Sequence, residues 1–107
     1  MSYYVRYSPG AGKDIAGIWD AVYSVSRNDD VADNYIDGIM EAIEDKKEFP
    51  RSGAPLAYRG LFTGFYSVLY KKYLAFYRVW DGSIEVARVL LASSDYIKVL
   101  FGDLPDG

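Results

Sequence analysis

Apolar positions along the chain change their period once. After a short alternating stretch at 3–7 they recur at helical spacing as far as residue 43. From residue 65 they alternate. The first stretch, Tyr3-Tyr4-Val5-Arg6-Tyr7, suits a pleated surface and reads as a short strand. Ser8 can cap a helix and Pro9 fits its first turn. The apolar stripe that follows is Ala11, Ile15, Ile18, Trp19, Val22 and Val25. Gly12 and Gly17 weaken this helix by roughly 1 kcal/mol each relative to alanine. Residues 27–30, Arg-Asn-Asp-Asp, form a turn that also supplies a cap and first-turn acids for a second helix. Its stripe is Val31, Ala32, Tyr35, Ile36, Ile39, Met40 and Ile43. Lys46 and Lys47 sit where a helix C-terminus favours cations, and Pro50 stops the helix. The short connection predicts an antiparallel helix hairpin.

Residues 51–64 read as a loop punctuated by Gly53, Pro55, Gly60 and Gly64. Three strands follow at 65–70, 73–80 and 83–91, with Lys71-Lys72 turning the first hairpin and Asp81-Gly82 the second. Residues 94–102 are a short helix candidate, and 103–107 a polar tail. The expected architecture is α+β over one domain, residues 1–102. An N-terminal strand and helix hairpin pack on a small, mainly antiparallel four-stranded sheet, closed by a short C-terminal helix.

A two-residue turn at Asp81-Gly82 fixes the register of the last hairpin. It opposes Trp80 to Ser83, Val79 to Ile84, Arg78 to Glu85, Tyr77 to Val86, Ala75 to Arg88 and Leu74 to Val89. One face then carries Val79, Ile84, Tyr77, Val86, Ala75 and Arg88. The other carries Trp80, Arg78, Glu85, Phe76, Ala87, Leu74, Val89 and Leu91. Both are largely apolar, whereas a sheet covered on one side should be polar on the other. The uncovered face therefore calls for a partner, either a second copy of the chain or a dedicated protein. Arg78 opposite Glu85 reads as a cross-strand ion pair. Arg88, set among apolar neighbours, needs a carboxylate partner or a wet, anion-binding site.

Composition narrows the chemistry. The chain contains no histidine and no cysteine, so neither a disulfide framework nor a thiolate metal site exists, and a zinc site is not expected. No cofactor is expected either. A general base would have to be a carboxylate, a lysine or a tyrosine. No run is apolar enough to span a bilayer and the N-terminus lacks a signal-peptide pattern, so a cytoplasmic location with no membrane partner is expected. Residues 1–50 hold five basic against ten acidic residues, and 51–107 seven against five, within a net charge of −3. Two surfaces with different partners would account for this asymmetry, as would helices carrying more surface carboxylate.

The helix hairpin ending in "FP", then "GAPL", "FTGFYSVLYKKYLAFYRV" and "VARVL" followed by "SDY", resembles the RelE/ParE superfamily of bacterial type II toxins. No single motif is specific, but the ordered set spans nearly the whole chain. The resemblance implies a cognate antitoxin that covers the open sheet face, through Leu74, Phe76, Trp80, Val89 and Leu91 here. It also implies one of two targets: mRNA in the ribosomal A site for the ribonuclease branch, or DNA gyrase for the ParE-like branch. Ribonuclease action would use Arg88, Arg59 and Tyr96 for chemistry and Arg51, Lys71, Lys72, Arg78 and Lys98 to hold RNA. The chain departs from that pattern. Ala54 precedes the "PL", Phe65-Tyr66-Ser67 rather than arginine follows Gly64, and the last strand runs out into Leu91-Ala92-Ser93-Ser94. The reading is a toxin acting as a ribosome-dependent mRNA endoribonuclease weakened by missing groups. The alternatives are a non-catalytic gyrase inhibitor and an inactive homologue that only binds antitoxin.

Overall fold

The computed structural model describes residues 3–102. The elements are β1 (Tyr4–Tyr7), α1 (Pro9–Ser26), α2 (Asp29–Glu44), a 3-10 turn (Pro50–Ser52), β2 (Ala54–Tyr58), β3 (Leu61–Tyr70), β4 (Tyr73–Trp80), β5 (Ser83–Leu91) and α3 (Tyr96–Phe101). The sheet has five strands in the order β1-β5-β4-β3-β2, with β1 parallel to β5 and all other pairs antiparallel. The expected tail at 103–107 lies outside the described residues.

The fifth strand, β2, occupies part of what the sequence marks as a loop. Arg59 and Gly60 both adopt positive φ, 53° and 80°, which gives a hairpin turn the twist its strands require. As the edge strand, β2 tolerates Pro55 because one row of its backbone groups faces away from the ladder. Folding this hairpin also moves the start of β3 back to Leu61.

Both helix starts follow the expected chemistry. The Ser8 hydroxyl accepts from the Ala11 amide at 3.0 Å, and the Asn28 side chain accepts from the Asp30 and Val31 amides. α2 ends at Glu44, before Pro50, and Lys47 pairs with Glu44 at 2.9 Å. Ile18, Ile36, Ile39 and Ile43 pack on Tyr73, Ala75, Tyr77, Ile84, Val86 and Val89 to form the core. The stripe frays at the helix-hairpin end, where Val25 is 88% and Val31 45% exposed.

The last hairpin follows the two-residue register only as far as Tyr77 opposite Val86. A bulge then leaves Ala87 unpaired, so Arg88 opposes Phe76, Val89 opposes Ala75, Leu90 opposes Leu74 and Leu91 opposes Tyr73. This corrects the expected pairing of Ala75 with Arg88 and of Leu74 with Val89. The extra residue moves Val89 and Leu91 to the helix-facing side, and Val89 enters the core. The Arg78–Glu85 reading also changes. The two residues oppose one another, but Glu85 turns to Arg6 of β1 at 3.7 Å, and the Arg78 guanidinium lies 4.2 Å from the centroid of the Phe65 ring.

The second sheet face is partly covered by α3. Tyr96 packs on Phe76 and Phe101 on Phe65, with ring centroids 5.0 and 5.6 Å apart. Phe65 and Phe76 are thereby buried, while Leu69 and Trp80 remain exposed. Among the described residues no helix is long and apolar enough to cross a membrane.

Two tyrosines record the depth of the core. Burial pushes Tyr77 from an ordinary 10.0 up to about 12, and burial together with the nearby Glu44 charge does the same for Tyr7. The folded protein thus holds both phenols neutral where the unfolded chain would ionise them. Stability from this source is complete below pH 10 and declines as pH rises towards about 12. Melting temperature is expected to fall steeply across that window, and Tyr77→Phe should make the fall shallower. An unchanged slope in the variant would contradict the assignment to Tyr77.

Candidate functional site

Arg88 is a tightly organised charged group at the edge of β5. β1 stops at Tyr7, so the outer edge of β5 would be bare beyond Val86. The start of α1 covers it. The Ser8 amide donates to the Val86 carbonyl at 2.9 Å and its hydroxyl to the Ala87 carbonyl at 2.6 Å. One and a half turns further on, Asp14 takes the Arg88 guanidinium in both arms, Nε to Oδ2 at 2.7 Å and Nη2 to Oδ1 at 2.9 Å. The same carboxylate accepts the Val89 amide at 2.9 Å. Gly10 lets the helix approach this closely, since a Cβ there would stand 3.1 Å from Arg88 Cδ. The Asp14 hydrogen bonds raise the pKa of Arg88 above its ordinary value, and the carboxylate balances its charge.

The other candidates are distributed. Tyr96 packs on Phe76, the cross-strand neighbour of Arg88, so these two share one region of the sheet. Arg59 lies in the β2–β3 turn, 5.3 Å above the Tyr58 ring. Its strand, β3, joins the row of Arg88 and Phe76 only at Ser67. The stretch from Leu61 to Ser67 therefore separates them by about 20 Å. Lys71 and Lys72 form the turn at the opposite end of β3. Arg51 lies in the 3-10 turn, Arg78 over Phe65 and Lys98 on the exposed side of α3. Of the residues expected to meet an antitoxin, Trp80 and Leu91 are exposed, Leu74 is half-buried, Phe76 lies under Tyr96 and Val89 belongs to the core. Among the described residues no cluster of acidic side chains could hold a metal ion.

The sequence left Arg88 either a carboxylate partner or a wet, anion-binding site; the structure supplies the carboxylate, Asp14, which the sequence did not identify. The signal was present: a β1 of four residues cannot cover a β5 of nine, and the helix after Ser8 must pass the remaining edge.

The family model of the ParE toxin of type II toxin-antitoxin system, parDE, matches residues 5–96. The chain belongs to the ParE toxin family. Solved structures share its fold. A chromosomal ParDE toxin-antitoxin system from P. aeruginosa is similar with a TM-score of 0.68 and 18% identity, over 84% of this chain and 96% of that one. A mutant of the E. coli toxin RelE in the free state gives 0.64 and 18%, over 92% and 93%. The RelBE2 toxin-antitoxin complex from Mycobacterium tuberculosis gives 0.61 and 19%, over 88% and 95%. No curated protein matches the sequence.

For a ParE-family toxin the arrangement has a chemical consequence. Cleaving RNA through its 2′-hydroxyl takes a base, an acid and free cations around one phosphate. Here Arg88 is spent on Asp14, and Arg59 lies on a distant turn. What remains near Phe76 is an aromatic surface with an arginine neutralised by Asp14, and with Arg78 two residues along β4 over the Phe65 ring.

Proposed function

We propose that this ParE-family toxin acts by binding a protein target, not by cutting RNA. DNA gyrase is the target that its resemblance to ParE-like toxins implies, and a cognate antitoxin holds it silent. The observation that supports this most is the two-armed Asp14–Arg88 pair, which engages Arg88 with a carboxylate instead of a phosphate. The relatives solved as toxin-antitoxin complexes support the antitoxin.

Expression without the antitoxin is expected to arrest growth with intact mRNA. The purified chain should inhibit gyrase supercoiling in vitro. Arg88→Ala should leave toxicity within about twofold of the parent, whereas an enzyme losing a transition-state cation would drop by about 10²–10³. Cut mRNA at ribosomes together with loss of toxicity in Arg88→Ala would overturn the proposal. Absence of arrest from a folded, antitoxin-binding chain would point to the inactive homologue.

A further inference from the structure

Between the closed end of the α1–α2 hairpin and the β3–β4 turn lies a depression of about 540 Å³. Ala21, Val22, Val25, Val31, Tyr35 and Tyr73 supply most of its apolar wall, with Lys71 and Lys72 at one rim. Val25 and Val31 occupy stripe positions that the core does not use, and both are exposed. Lys71 adopts positive φ, 52°, and its ammonium lies 5.2 Å from the Tyr35 ring centroid and 5.7 Å from that of Tyr70. The Lys72 ammonium is 6.0 Å from the Tyr73 centroid. Among the described residues neither lysine is paired with a carboxylate. Aromatic faces thus hold two unneutralised cations beside an apolar hollow, on a chain whose net charge is −3.

We propose that this depression docks an acidic amphipathic segment of a partner polypeptide. Its apolar side chains lie against Val22, Val25 and Val31, and its carboxylates reach Lys71 and Lys72. This rests on the reading of the chain as an antitoxin-bound toxin. Charge complementarity selects the occupant and its direction. Asp29 and Asp30 open α2 near the valines, and Asp37 and Glu41 lie further along the same helix. Acidic groups on the partner are repelled by these carboxylates and accepted at the lysine rim. A nucleic acid is a poorer fit, because two cations beside valines offer little to a phosphate backbone.

The test titrates the antitoxin encoded beside this chain against the parent, the double variant Lys71→Glu/Lys72→Glu and Val31→Asp, each checked for an unchanged melting temperature. Both variants are expected to bind at least about tenfold more weakly, with parental affinity falling as salt rises. Binding within about twofold of the parent in both variants would overturn the docking site and leave the toxin-antitoxin reading intact. No binding of antitoxin by the parent chain would overturn both. If the double variant loses affinity for a single-stranded RNA oligonucleotide but keeps the antitoxin, the lysines serve nucleic acid and the proposal fails.

Discussion

Tyr77→Ala is expected to lower stability by about 3–5 kcal/mol, the largest loss of any single truncation considered. Tyr77 is fully buried in the centre of β4, stacked on Tyr66 with ring centroids 5.7 Å apart. Its hydroxyl donates to the Pro50 carbonyl at 2.7 Å. Removing the side chain leaves a ring-sized void and a buried carbonyl without a donor. Gly53 shows how closely the phenol is enclosed, since a Cβ there would overlap the Tyr77 hydroxyl. At about 4 °C or more per kcal/mol for a domain of this size, the melting temperature should fall by at least about 12 °C. Tyr77→Phe keeps the ring and should cost about 1–2 kcal/mol. Thermal denaturation of both variants checks the pair. Equal losses would mean that the phenol, not the ring, dominates, contrary to the packing.

Asp14→Ala is expected to cost about 2–3 kcal/mol. It removes both charge-assisted bonds to Arg88 and the acceptor of the Val89 amide. Side-chain exposure sets the ceiling. Asp14 is 13% and Arg88 35% exposed, so the released guanidinium recovers part of its hydration. A double-mutant cycle with Arg88→Ala isolates the pair, with an expected coupling of about 1–2 kcal/mol. Coupling near zero would mean that the two side chains do not pair in solution. The same variant reaches function from the other side. If a dormant ribonuclease lay behind the Asp14 clamp, freeing Arg88 would raise RNA cleavage; none is expected.

The helices were legible because their signals are local. Ser8-Pro9 and Asn28-Asp29-Asp30 carry their own caps, and the apolar stripe names the buried residues up to the point where it frays at Val25 and Val31. The Asp81-Gly82 turn correctly set four pairs of the last hairpin. The register then failed at Ala87, where an alanine bears no mark of a bulge. That one residue exchanged the readings of Arg88 and Val89. β2 was hidden behind Pro55 and its neighbouring glycines, which mark loops more often than edge strands. Glu85 was assigned to the wrong arginine for a different reason. Nothing local tells β1 to dock on β5, and only that docking brings Arg6 within reach of Glu85.

The parallel seating of β1 on β5 also orders events in time. Tyr4 takes its place beside Ser83, so β1 leaves the translating machinery well before β5, the strand that templates it. The helix hairpin can form early from its own caps, but its apolar side must wait for a surface that does not yet exist. Closure of so long a loop is slow compared with local helix formation. Until β5 is made, the nascent polypeptide therefore carries an unsatisfied β1 and an uncovered helical stripe, an interval in which self-association competes with folding.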